Sequence, residues 1–222
     1  MENVIVSWSG GKDSTLALYY LMNNSNYRIR GLLSTTSQAS GRLPVHEVRR
    51  EFIQAQAKSL ELPLYDVPLP PMADNSTYER TLQQKFKQFK SEGIYTIVYA
   101  DLFLEDIKDY RDRLLSTAGM SGLYPLWGKA STTIAEEFIS AGFKAIVTAV
   151  DTEQLTADQA GCMVDKNFIN SLPPGVDPCG ENGEFHTFVV DGPIFHSTIS
   201  VQPGNQFETG GGKFAHIELM KE

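Results

Sequence analysis

The chain has 222 residues, 41% apolar and 21% charged, which allows a packed core and excludes a disordered chain. Its net charge is −8 and no Lys or Arg run exceeds two residues, which argues against wrapping duplex DNA. Two cysteines, Cys162 and Cys179, cannot build a disulfide scaffold, and no apolar run is long enough for a membrane span, so a cytoplasmic protein with reduced thiols is expected.

The first half alternates strand and helix patterns. Residues 4–8 read as a short buried strand, and 15–22 as a helix apolar nearly all round. Residues 29–34 form a second expected strand. A helix is expected over 46–60, with Val48, Phe52 and Ala55 on one stripe. Residues 64–67 make a third strand, stopped by Pro68. A charged helix follows over 78–89, then a fourth strand over 94–100. This order implies a mostly parallel sheet with helices on both faces, whose ligands sit beyond the carboxyl ends of the strands.

The second half is mixed. Helices are expected over 105–118 and 132–141, and strands over 143–150, 184–190, 194–201 and 214–220. Gly210-Gly211-Gly212 reads as a turn before the last strand. A boundary near residue 120 separates a domain over 1–120 from one over 121–222. No internal repeat is visible.

The most informative segment is Ser9-Gly10-Gly11-Lys12-Asp13-Ser14, between the first strand and the first helix. It is not Walker A, because Val6 stands where the first Gly is needed and Asp13 where Ser or Thr is needed. Glycines let backbone approach an anion, and helix-start amides carry unpaired donors. Ser9 and Ser14 add hydroxyls, and Lys12 adds a full charge. The loop is suited to pyrophosphate. Asp13 repels phosphate, so a helix-capping role or a Mg²⁺-binding role is expected of it.

In the second half, Asp177-Pro178-Cys179-Gly180-Glu181-Asn182-Gly183-Glu184-Phe185-His186-Thr187-Phe188 concentrates acids and turn formers. Taken alone it reads as a solvated loop entering a strand, with Glu184 and His186 on one face.

The Ser9–Ser14 hexapeptide resembles the signature of PP-loop ATP pyrophosphatases. Together with the Gly183-to-Thr187 segment it resembles the diphthine–ammonia ligase, or DUF71, branch of that family. Further matching pieces are His46 with Arg49, Gln56-Ala57, Asn75 with Tyr78-Glu79, Pro125-Leu126-Trp127-Gly128, Gly142-Phe143-Lys144-Ala145 and Asp191-Gly192-Pro193-Ile194-Phe195. The resemblance implies an α/β, HUP-like (adenine nucleotide alpha hydrolase-like) parallel sheet with helices on both faces, plus a smaller mixed α+β C-terminal domain. It implies that the loop holds the β- and γ-phosphates of ATP while a substrate oxygen attacks the α-phosphate. AMP is then displaced by ammonia, giving an amide. In eukaryotes and archaea, the family's ligase amidates diphthine on elongation factor 2. Asp177-Pro178-Cys179 resembles bacterial-type members, for which a different carboxylate is expected. Ala100-Asp101 and Gly161-Cys162 stand where the family often has Gly-Asp and Gly-Arg.

On this resemblance ATP would be bound by Ser7, Ser9, Gly10, Gly11, Lys12, Asp13, Ser14, Ser34, Thr35 and Asp101. Mg²⁺ would sit on Asp13 and Asp101. Lys12 would neutralise leaving pyrophosphate, with Asp13 beside it. His46 and Arg49, one turn apart on the expected helix, would reach the α-phosphate or activated carboxylate. Asn75, Tyr78, Glu79 and Thr187 would line the acceptor pocket, and Asn75 also suits a helix N-cap. Glu181, Glu184 and His186 would bind ammonium or take its proton. The implied partners are ATP, ammonia and a carboxylate-bearing acceptor, with self-association left open and no membrane or DNA expected. The alternatives are a nucleotide-binding sensor without turnover, or an ATP-using enzyme of cobalamin-type cofactor salvage.

Overall fold

The computed structural model describes residues 1–71 and 73–222. The first half contains β1 (Glu2–Ser7), α1 (Lys12–Met22), β2 (Tyr27–Ser37), α2 (Arg50–Ser59), β3 (Leu64–Leu69), α3 (Asn75–Ser91), β4 (Thr96–Val98), α4 (Glu105–Thr117) and β5 (Ser121–Leu123). Its five strands form one parallel sheet in the order β3-β2-β1-β4-β5. This is the α/β, HUP-like arrangement expected from the sequence. The chain leaves β1 toward β2 and later returns to its other side as β4. The crevice at such a reversal lies beyond the carboxyl ends of the two strands. Ser7 to Ser9 and Tyr99 to Asp101 emerge there.

Side-chain alternation along β1 divides the core. Ile5 joins Leu33, Val67, Phe86, Phe89 and Leu115 under α3 and α4. Val4 and Val6 point the other way, into a larger cluster with Leu16 and Leu18 of α1 and Phe52 and Ile53 of α2. That cluster continues without a break into the second half.

The second half contains α5 (Ser131–Ser140), β6 (Lys144–Asp151), α6 (Lys166–Ser171), β7 (Phe185–Asp191), β8 (Val201–Thr209) and β9 (Phe214–Lys221). Its four strands form an antiparallel sheet ordered β7-β6-β9-β8. Phe138, Phe143, Phe185 and Phe188 connect this sheet to the α1–α2 layer. Among the described residues, no helix is long and apolar enough to cross a membrane.

Several elements differ from the sequence reading. The expected helix over 46–60 begins only at Arg50. Val45 and Glu47 have φ of 67° and 52°, left-handed values that stop a helix. A tight loop replaces the first turn, closed by the Leu43 amide on the Val48 carbonyl at 2.9 Å and by Arg42 donating to the Glu47 carbonyl at 2.6 Å. β3 runs through Pro68, which an edge strand tolerates because one side needs no N–H. β5 extends the parallel sheet to residue 123, past the boundary drawn at 120. Residues 194–200 are irregular rather than a strand, and the strand lies at Val201–Thr209, bulged between Pro203 and Gln206. α6 arises in a segment read as loop, capped by Asp165 accepting from the Phe168 amide at 2.8 Å.

Candidate active site

The Ser9–Ser14 loop is held from both halves of the chain. Gly10 has φ +75°, and a Cβ there would lie 2.5 Å from Gln56 Oε1 and 2.8 Å from Ile53 Cδ1. A Cβ on Gly11 would meet the Thr187 carbonyl at 3.0 Å. Only glycine fits this backbone path. The fully buried Gln56 amide accepts from Trp8 Nε1 at 3.0 Å and donates to the carbonyls of Gly10 at 3.0 Å and Val189 at 2.6 Å. The Val189 amide donates to the Gly10 carbonyl at 2.8 Å, and the Lys12 amide to Thr187 Oγ1 at 3.0 Å. β7 therefore runs as a rail along the loop. α1 starts at Lys12 with Gly11 supplying no side-chain cap, and Thr187 Oγ1 takes its first amide from across the loop. Ser9 Oγ lies 3.2 Å from Ser14 Oγ.

The crevice is a cleft of about 240 Å³. The phosphate-loop side brings Ser7, Ser9, Gly11, Lys12, Asp13 and Ser14, and the β4 end brings Tyr99, Ala100 and Asp101. The second half brings Glu181, Phe185, His186 and Thr187, and His46 comes from the loop before α2. Residues more than 160 positions apart thus face one another. A second cavity of about 200 Å³ adjoins it, walled by Trp8, Leu33, Thr35, Leu43, Tyr78 and Leu82.

Charge in the cleft is tightly arranged. Lys12 is buried, with Nζ 2.7 Å from Asp13 Oδ2, bonded to the Cys179 carbonyl and 5.3 Å from the Phe185 ring centroid. Burial alone would lower its pKa, but Asp13, Cys179 and Glu181 outweigh that and raise it. Glu181 Oε1 accepts from the Leu102 amide at 2.8 Å. Burial pushes its carboxyl up to about 7 against that bond, with Asp13 and Asp101 adding to the rise. The rings of His46 and His186 lie 4.6 Å apart. Burial lowers His46 to about 4 and His186 well below its ordinary value, with Lys12 acting in the same direction on both. Both imidazoles are neutral at pH 7, the form that accepts a proton. The two neutral rings and the Glu181 carboxyl line the same cleft.

Other expected site residues have different work. Arg49 is not on a shared helix face with His46; it pairs with Glu218 at 2.8 Å and Glu51 at 3.6 Å, outside the cleft. Glu184 is buried and folds its own loop, accepting from the amides of Asp177 and Asn182 at 3.0 Å and from Asn182 Nδ2 at 2.9 Å. It does not line the cleft, because these donors consume its carboxylate. Ser34 is buried and donates to the Trp8 carbonyl at 2.6 Å. Asn75 opens α3, but Asp74 is the N-cap, accepting from the Thr77 amide at 2.8 Å. Glu79 lies in a groove between α3 and α4, away from the cleft, whereas Tyr78 walls the second cavity.

Three contributors are absent from the sequence-derived site. Gln56 braces the loop; the sequence marks it by the Gln56-Ala57 match to the family and by an amide inside an otherwise apolar stripe, and neither signal names that role. Tyr99 and Arg111 line both cavities. Arg111 Nε lies 3.0 Å from Asp101 Oδ2, its Nη2 donates to Asp101 Oδ1 at 3.0 Å, and its guanidinium sits 4.2 Å above the Tyr99 ring. Burial raises the Asp101 carboxyl, with Arg111 opposing.

The acids also bear on Mg²⁺. Among the described residues, no group of three His, Cys, Asp or Glu could hold a metal ion by itself. Mg²⁺ needs less, one or two carboxylates completed by phosphate oxygens and water. Asp13 and Asp101 line the same cleft and are close enough to Glu181 to raise its carboxyl, a strain that a hard dication relieves. The donor set fits.

The chain is similar to known proteins over most of its length. Residues 2–122 match the family described as the diphthamide synthase N-terminal domain, and residues 130–222 match its C-terminal domain. A diphthine–ammonia ligase of Schizosaccharomyces pombe is 23% identical over 95% of this chain, and one of Danio rerio 25% identical over 96%. The chain spans 38% of the yeast protein's length and 91% of the zebrafish protein's. A crystal structure described as a predicted subunit of tRNA methyltransferase from Methanocaldococcus jannaschii aligns at 16% identity with a TM-score of 0.45, covering 87% of this chain and 98% of that one.

Proposed function

The chain belongs to the diphthamide synthase family, and from that premise we propose that it is an ATP-dependent amide ligase that cleaves ATP between the α- and β-phosphates. One observation carries the reading. The Ser9–Ser14 loop, shaped for a diphosphate, opens on the same cleft as Glu181, whose carboxyl suits proton transfer.

In this reading the adenosine occupies the second cavity, among Trp8, Thr35 and Tyr78. The β- and γ-phosphates lie against Ser9, Gly11 and Ser14 with Lys12 beside them. Lys12 Nζ leaves the Asp13 carboxylate to meet the phosphates. Asp13 and Asp101 would hold Mg²⁺, which when bound supplies charge neutralisation for the leaving pyrophosphate. An acceptor carboxylate oxygen attacks the α-phosphorus, and the bond to the bridging oxygen breaks. Pyrophosphate departs with that electron pair, leaving an acyl adenylate. Ammonia then attacks the acyl carbon and AMP leaves. Ammonium must first lose a proton, and Glu181, whose carboxyl is raised to about 7, accepts it. The acceptor for this chain is a carboxylate-bearing molecule, which for the relatives named diphthine–ammonia ligase is diphthine.

The test is to incubate the protein with ATP, Mg²⁺, ¹⁵N-ammonium and candidate carboxylates. AMP, pyrophosphate and a labelled amide are the expected products. Release of ADP and orthophosphate would sink the proposed cleavage position.

A further inference from the structure

We propose that Arg111 is the α-phosphate clamp of this site, held ready by Asp101 and Tyr99. The inference rests on the nucleotide placement above and extends it to a residue on a helix that the motifs do not touch.

A nucleotide with its diphosphate in one cavity and its adenosine in the other must pass its α-phosphate through their junction. Five residues line both cavities: Ser7, Ser9, His46, Tyr99 and Arg111. Ser7, Ser9 and Tyr99 carry no charge at neutral pH, and the His46 imidazole is neutral. Arg111 supplies the only permanent positive charge among the five. Lys12 lines the diphosphate cleft alone, so it cannot serve both positions.

The geometry of Arg111 suits a clamp. Nη2 donates to Asp101 Oδ1 at 3.0 Å, and Nε lies 3.0 Å from Asp101 Oδ2 as an ion pair, which together orient the guanidinium plane. The Tyr99 ring supports that plane from 4.2 Å. A planar fork with two edges can pair one with a carboxylate and offer the other to an anion. During adenylyl transfer the acceptor oxygen bonds to the α-phosphorus as the bridging bond breaks. Negative charge then collects on the non-bridging α-oxygens, where Arg111 stands.

The test compares wild-type protein with Arg111→Met and the double variant Arg111→Met/Asp101→Asn, which removes the stranded carboxylate. Affinities for adenosine, AMP and inorganic pyrophosphate are measured by titration calorimetry. AMP should weaken on the order of 10- to 100-fold in both variants, as expected for charge-assisted bonds. In Arg111→Met, which leaves the Asp101 assigned to Mg²⁺ intact, adenosine and pyrophosphate should stay within about 2-fold, which a merely structural loss would not spare. Unchanged AMP affinity, or equal losses for AMP, adenosine and pyrophosphate, would overturn the clamp while leaving the nucleotide site standing. Wild-type protein that binds none of the three would overturn the nucleotide reading, and the clamp with it.

Discussion

Replacing Gln56 with Leu removes the brace beneath the phosphate loop at nearly constant volume. The side chain is fully buried and makes three hydrogen bonds, with Trp8 Nε1, the Gly10 carbonyl and the Val189 carbonyl. Trp8 is 2% exposed, so its indole N–H is stranded away from water, at a cost of ~1–3 kcal/mol. The Gly10 carbonyl keeps the Val189 amide at 2.8 Å, so its loss is the smaller ~1 kcal/mol of one bond. The Val189 carbonyl loses a similar amount. Added apolar burial from Leu offsets ~1 kcal/mol. The net is ~3 kcal/mol, which for a chain of this size lowers the melting temperature by about 6–12 °C. Circular dichroism melts measure this directly. ATP affinity, followed by calorimetry below the melt, should fall about 10-fold because the Gly10 carbonyl is no longer held from α2. A melting temperature within about 2 °C of wild type, with unchanged ATP affinity, would refute the bracing role.

Gly10→Ala should cost ~2–4 kcal/mol, combining a left-handed φ of +75° with a Cβ 2.5 Å from Gln56 Oε1, and should be visible as a lowered melt and lost ATP binding. Lys12→Ala should slow ATP–pyrophosphate exchange by ~10²–10³-fold while AMP affinity stays within about 2-fold, because Lys12 reaches only the diphosphate cleft. Glu184→Gln turns an NH₂ group toward donors that need an acceptor, so amides 177–183 should exchange faster with deuterium by mass spectrometry. His46 makes stability fall as pH drops from 6.5 toward 4, against the opposite contribution of Glu181, whose raised carboxyl takes up its proton first in the folded state. Unfolded His46 takes a proton near 6.5 while the folded ring resists it to about 4, so the unfolded state binds more protons in that window. The shift corresponds to ~3 kcal/mol at most, and the half-buried ring reduces it to ~2. Going from pH 7 to pH 5 should lower the melting temperature more, or raise it less, in wild type than in His46→Gln.

The parallel half of the fold is legible because its determinants are local. Buried runs such as Val4 to Val6 and the apolar α1 announce themselves by period. Failures occur where a non-local partner replaces a local rule. Glu47 ends a helical pattern early because Arg42 satisfies its carbonyl across a loop. β5 is three residues long and exists only because β4 offers it an edge. Residues 194–200 have a strand-like composition, yet their backbone bonds go to Ser59 and Val190 rather than to a ladder. The site divides in the same way. The glycine loop could be read because Gly10 takes a left-handed φ of +75° that favours glycine locally, although Gly11 is required by the Thr187 carbonyl of β7. Glu184 could not be told from Glu181 by spacing, since three nearby donors claim one carboxylate and the cleft keeps the other.

This division follows from how an anion-binding loop is stabilised. A helix start that presents its amides to a ligand has no side-chain cap to hold it, and α1 has none. Its rigidity must come from outside the strand–turn–helix unit. Here Gln56 holds one side, and β7 holds the other through Val189 on Gly10 and Thr187 on Lys12. The strand that stiffens the phosphate loop also carries His186, and the loop before it carries Glu181. Bracing and proton handling are therefore one structural commitment. The second half can approach the nucleotide only by pairing with the loop, and that pairing sets the acid–base groups at the phosphate. Neither half has this geometry in its own sequence, which is why the Gly183-to-Thr187 segment reads as an ordinary solvated turn until β7 is laid against Gly10.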